Sequence, residues 1–77
     1  MVEAFVLIQT EIGKPLPVAA RVGRIHGVAT AVCVTGPYDV IARITADDFD
    51  SLGKMVVSTI QAVDGVTRTL TCPVVHL

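Results

Sequence analysis

The run VEAFVLIQT, residues 2–10, places apolar side chains on both faces of an extended strand. Val2, Ala4, Val6 and Ile8 alternate onto one face, with Phe5 and Leu7 on the other. A strand that is apolar on both faces has to be covered on both faces. The chain has 77 residues, so it reads as one domain spanning residues 1–77. A domain of this size hides only about 60% of the surface of its unfolded chain. Yet 52% of its residues are hydrophobic, only 17% are charged, and the mean hydropathy is +0.68. The surplus apolar surface therefore points to burial against further copies of the chain. No run approaches the roughly 18 apolar residues of a spanning helix. The first residues carry Glu3 and no basic cluster, which is unlike a signal peptide.

Charge excludes further classes. The formal net charge is −1, and Lys14, Arg21, Arg24, Arg43, Lys54 and Arg68 are scattered along the chain. Nothing makes an electrostatic footprint for direct contact with nucleic acid. His26 and His76 are isolated, with no Cys or carboxylate at ligand spacing, so neither a metal nor another cofactor is expected. Cys33 and Cys72 lie inside apolar strand-like runs and read as reduced, buried, structural residues, as in a cytoplasmic protein.

Residues 15–25 read as a short helix entered through Pro15 and Pro17, with Val18, Ala19, Val22 and Ile25 on one stripe and Gly27 as its stop. Residues 28–35 and 38–46 read as two strands joined at Gly36-Pro37. Asp47 or Asp48 opens a longer helix whose stripe is Phe49, Leu52, Val56, Ile60 and Val63. Asp50 and Lys54 stand at i, i+4 spacing as a surface pair, and Gly53 suggests close packing on the sheet. Residues 66–76 form the last strand, and Pro73 puts it at an edge. The order βαββαβ gives an α+β, ferredoxin-like fold: a four-stranded antiparallel sheet with two helices on one face. The other face is also apolar in part. Pairing two such sheets about a two-fold axis, as a dimeric α+β barrel, is the simplest cover. Arg43 on that face either pairs with an acid of another subunit, such as Glu3, or is solvated at a sheet edge.

The join between the middle strands carries more chemistry than a hairpin needs. Asn-Gly or Asp-Gly would close a simple turn, whereas this chain reads TGPYD at 35–39. Together with GVTRTLT at 65–71, this stretch resembles the effector-binding domain of the Lrp/AsnC transcription regulators, also called the RAM domain. The likeness covers residues 2–76, and the family's Gly-x-Tyr-Asp falls on Gly36, Tyr38 and Asp39. Its Gly-Val-x-x-Thr-x-Thr falls on Gly65, Val66, Thr69 and Thr71. His26 before Gly27 departs from the Pro or acid more usual there. Family regulators also carry an N-terminal helix-turn-helix domain, so the chain is similar to stand-alone members with the effector domain only.

The resemblance implies dimers paired through their sheets, commonly gathered as octamers of four dimers in a ring. It implies an amino acid or similar small metabolite held in a cleft between dimers, near the Gly-x-Tyr-Asp turn. On that expectation, Gly36 lets backbone N–H groups approach a carboxylate, Asp39 meets an ammonium, and Tyr38 supplies a flat wall. Thr69 and Thr71 share one strand face, extended by Thr67, and can offer hydroxyls. Structural alternatives stand beside these roles. Asp39 can bond nearby backbone N–H groups, Thr35 can cap the turn, and Tyr38 can simply pack at an interface. Other functions also stand: an assembly module that joins full-length Lrp/AsnC regulators without a ligand of its own, or a small dimeric barrel enzyme. No catalytic pairing of Ser-His or Cys-His type is legible, so no catalytic residue is assigned.

Overall fold

The computed structural model describes residues 1–77. Strand β1 runs Val2–Thr10, helix α1 Pro15–Val22, β2 Val28–Cys33, β3 Val40–Ala46, helix α2 Phe49–Met55 and β4 Val66–Pro73. The sheet order is β2-β3-β1-β4, with every neighbouring pair antiparallel. This is the expected ferredoxin-like arrangement, and β4 lies at an edge as Pro73 requires.

The core forms where helix stripes meet one face of the sheet. Ala4, Val6 and Ile8 of β1 and Val40, Ala42 and Ile44 of β3 are fully buried beneath Val18 and Val22 of α1 and Leu52 of α2. α2 continues as one π-helical turn, Val56–Ile60, in which the Gln61 N–H reaches back five residues to the Val56 carbonyl at 2.9 Å. The wider turn brings residues four apart nearly into line. Leu52, Val56 and Ile60 therefore all face the sheet. Asp48 is the N-cap of α2. Its Oδ1 accepts the Ser51 backbone N–H at 2.7 Å, and that bond holds its carboxyl below the ordinary 3.8.

Several expectations need correction. α1 ends at Val22, not Ile25, because the N–H groups of Arg24 and Ile25 bond three residues back to Arg21 and Val22 and tighten the exit. Ile25 still packs on the core from the turn. β2 stops at Cys33, β3 starts at Val40, and β4 stops at Pro73, so the segment between the middle strands is a six-residue loop, 34–39. Phe49 is exposed: Leu52, Val56 and Ile60 supply the packed side of this helical segment, and Phe49 lies outside the core cluster. Gly53 packs on nothing: a Cβ there would meet no atom within 4 Å. Asp50 and Lys54 form no ion pair; the two that form join Lys14 to Asp64 and Arg43 to Glu3. The Arg43–Glu3 bridge, 3.3 Å, forms within the chain, because the β1–β3 register sets the two residues diagonally across the strands. Both cysteines are exposed. Cys72 shares the helix-free face with its register partner Phe5, and Cys33 ends the other edge strand, so flanking apolar residues do not cover either thiol.

Candidate functional site

The site is built around the C-terminal end of β1. Ile8 is the hub: it pairs with Val40 of β3 on one side and with Thr69 of β4 on the other. The loop 34–39 and the threonine row therefore flank the same strand end, about 10 Å apart across two strand spacings.

The loop is tied down from within the chain. The Val34 N–H donates to the Asp39 carbonyl at 2.9 Å, and the Asp39 N–H to the Ile8 carbonyl at 2.9 Å. Asp39 Oδ2 accepts the Thr10 N–H at 2.8 Å and the Thr10 hydroxyl at 3.3 Å. Gln9 Nε2 donates to the Pro37 carbonyl at 3.0 Å. Asp39 thus does bond a backbone N–H, but one that is 29 positions away in sequence. Thr35 makes no capping bond; the Val34–Asp39 bond closes the loop instead. The N–H groups of Thr35, Gly36 and Tyr38 donate to no other protein group. Gly36 has φ +124°, a region that favours glycine, and open space surrounds it. Tyr38 and Asp39 are half-buried.

On the other flank, Thr69 and Thr71 pair with Ile8 and Val6 and so lie on the helix side of the edge strand. Thr67 falls out of the row, because the register shifts between Gln9 and Thr10. The Thr69 hydroxyl accepts from Gln61 Nε2 at 2.8 Å. Gln61, Val66, Thr67, Arg68 and Thr69 line a polar cleft of about 370 Å³. Gly65 starts this segment at φ +96°, and a Cβ there would come within 3.0 Å of Val18 Cγ2, so α1 seats directly on the turn.

The predicted segments thus flank one end of the sheet without enclosing a common pocket: Gly36, Tyr38 and Asp39 stay outside the Thr69 cleft, and so does Thr71, which lies opposite Val6. Gln9, Thr10 and Gln61 join the site unforeseen. The polar tail of β1, Gln9-Thr10, was the available signal. A larger cleft of about 440 Å³ lies at the opposite end, lined in part by His26, Asp47, Ser51 and Met55. No group of three or more His, Cys, Asp or Glu side chains is placed to hold a metal ion. No helix is long and apolar enough to cross a membrane.

The chain is similar to known proteins in sequence and fold. Residues 3–76 match the profile of the Lrp/AsnC ligand binding domain. An uncharacterized HTH-type transcriptional regulator of Pyrococcus furiosus is 31% identical over 71 residues, covering 88% of this chain and 47% of that protein. The chain thus spans about half the length of the curated relatives it matches. A Thermus thermophilus protein of known crystal structure superposes with a TM-score of 0.92 at 31% identity, over 100% of this chain and 96% of that one. A transcriptional regulator from Neisseria meningitidis, solved as its L-Met complex, shares the fold with a TM-score of 0.84 at 19% identity, over 97% of this chain and 50% of that one. With both motif segments in place and nearly its whole length matched, the chain belongs to the Lrp/AsnC ligand-binding-domain family.

Proposed function

We propose that the chain is an effector-sensing domain that binds an amino acid or a similar small metabolite and passes the signal on through oligomerisation. It acts in transcriptional regulation of metabolism, in the cytoplasm, as dimers that gather into a ring such as an octamer. One observation carries the reading: the segments 35–39 and 65–71 sit on either side of the end of β1, each presenting polar groups and neither closing a pocket alone. A second subunit docked there would complete a cleft. The three free N–H groups of the loop suit a carboxylate, and Gly36, Tyr38, Asp39, Thr69 and Thr71 are its proposed contacts. The L-Met complex of the Neisseria meningitidis regulator supports an amino acid as the ligand class. A ligand in such a cleft shifts assembly by its difference in affinity between assembly states.

The test is mass in solution, by sedimentation, without and with each of the twenty amino acids. A mass or assembly midpoint that moves with one of them is the expected result, and Asp39→Ala should weaken that response by about tenfold or more, the worth of one charged hydrogen bond. An assembly indifferent to all twenty would refute amino-acid sensing. A second reading is favoured by the Asp39–Thr10 bonds, which already occupy one carboxylate oxygen. In it, the chain is an assembly module that joins full-length Lrp/AsnC regulators. Coassembly with such a regulator, with no amino-acid response, would establish that reading instead.

A further inference from the structure

We infer, on the effector-sensing reading above, that Arg68 reads the effector's side chain and selects an amino acid carrying a second carboxylate, of the aspartate and glutamate class. Two basic side chains already have a carboxylate: Lys14 lies 4.0 Å from Asp64, and Arg43 lies 3.3 Å from Glu3. Of Arg21, Arg24, Lys54 and Arg68, only Arg68 lines a cleft. Its guanidinium makes no ion pair or hydrogen bond within the chain. Asp64, the nearest acid in sequence, is the one that faces Lys14. The 370 Å³ cleft thus carries a free cation, and no carboxylate lines it. Val66 is its one apolar residue. Thr69 accepts from Gln61 Nε2 at 2.8 Å and so keeps its own O–H to donate. A carboxylate answers this set, because it accepts from the guanidinium fork and from the hydroxyl together. An amide would leave the cation without a counter-charge. An apolar side chain would strip water from these groups and leave them unpaired.

The backbone brings Arg68 toward the Gly36 loop. Thr10 pairs with Val66 and Gln9 with Arg68, so Thr67 is an extra residue in β4. Such a bulge bends the strand and re-aims its side chains. Thr67, Arg68 and Thr69 therefore line one cleft together, although consecutive residues of a flat strand face opposite sides. Gln9, the cross-strand partner of Arg68, donates through Nε2 to the Pro37 carbonyl at 3.0 Å. One side chain thus separates Arg68 from the loop whose free N–H groups are the proposed seat of the α-carboxylate. Asp39 Oδ1 takes no bond from the chain and is open to the ammonium. Loop donors, a carboxylate and a guanidinium are together the complement of a dicarboxylic amino acid.

Titration calorimetry of the full chain with L-glutamate, L-aspartate, L-glutamine, L-asparagine and L-leucine tests this. One acid should bind about tenfold or more tightly than its own amide, the worth of a charged hydrogen bond. Arg68→Met keeps the stem and removes the charge, so it should bring that ratio close to one and leave the amide's affinity in place. Arg68→Lys keeps the charge without the fork and should restore part of the preference, which lost packing alone would not do. Arg68 is exposed, and a urea midpoint checks that each variant is folded. A parent that binds an amide or leucine as tightly as the acids overturns the role of Arg68 and leaves amino-acid sensing standing. So does an Arg68→Met chain that keeps the preference, or a parent that binds none of the five yet responds to another amino acid in sedimentation. A parent that responds to none of the twenty overturns the sensing reading and the role of Arg68 with it.

Discussion

The two faces of the sheet are made from alternate residues of the same strands, yet they differ in kind. On one face Ala4, Val6, Ile8, Val40, Ala42 and Ile44 vanish under two helices. On the other, Phe5, Leu70 and Val32 are 41%, 47% and 52% exposed, with Leu7 and Ile41 half-buried beside them. The first face finds its cover within the chain. The second has none within the chain, and a single ion pair, Arg43–Glu3, crosses it. The same strand period thus builds a folding core and an uncovered apolar surface side by side, and what separates them is whether the chain itself supplies a covering layer.

That contrast can be broken by mutation. Ile8→Ala opens a cavity under the helices and should lower stability by about 2–5 kcal/mol, read as a lowered urea midpoint at high dilution. Leu70→Lys, on the bare face, should change the unfolding of the separated chain by less than about 0.5 kcal/mol. Its effect should fall on mass instead, leaving a smaller species at concentrations where the parent assembles. If Leu70→Lys unfolds the chain as Ile8→Ala does, the two faces are not distinct in role. Arg43→Met is the mildest change. An exposed pair contributes about 0–1 kcal/mol, so stability should barely move, and assembly should be retained or slightly tightened because the new side chain is apolar. A variant that loses its assembly would show instead that the bridge is part of the contact.

The order of elements was legible because periodicity of two and of 3.6 changes visibly along this chain, and because Pro73 and Asp48 carry positional meaning. Details set by distant contacts were not. Whether Phe49 is covered depends on which side of α2 meets the sheet at its first turn, which its own stripe does not record. The π turn after Met55 leaves no pattern of its own in VVSTI. The cysteines looked buried because their neighbours are apolar, but burial follows the covering layer and not the flanking residues. At the site, the residue types and the two segments were readable. The bond from Thr10 to Asp39 was not, since no local spacing rule spans 29 residues. It shows Asp39 to be a structural tie whatever else it does.

The place of β1 in the sheet has a kinetic consequence. It lies between β3 and β4, so its neighbours are the third and fourth strands of the domain in chain order. Both pairings join segments far apart in sequence, the kind of contact that slows folding relative to helical domains. Until Val66–Pro73 has emerged, the strand keeps one edge without a partner, and an apolar strand with an open edge invites association with other chains. The first strand of this domain is thus among the last to be fully paired.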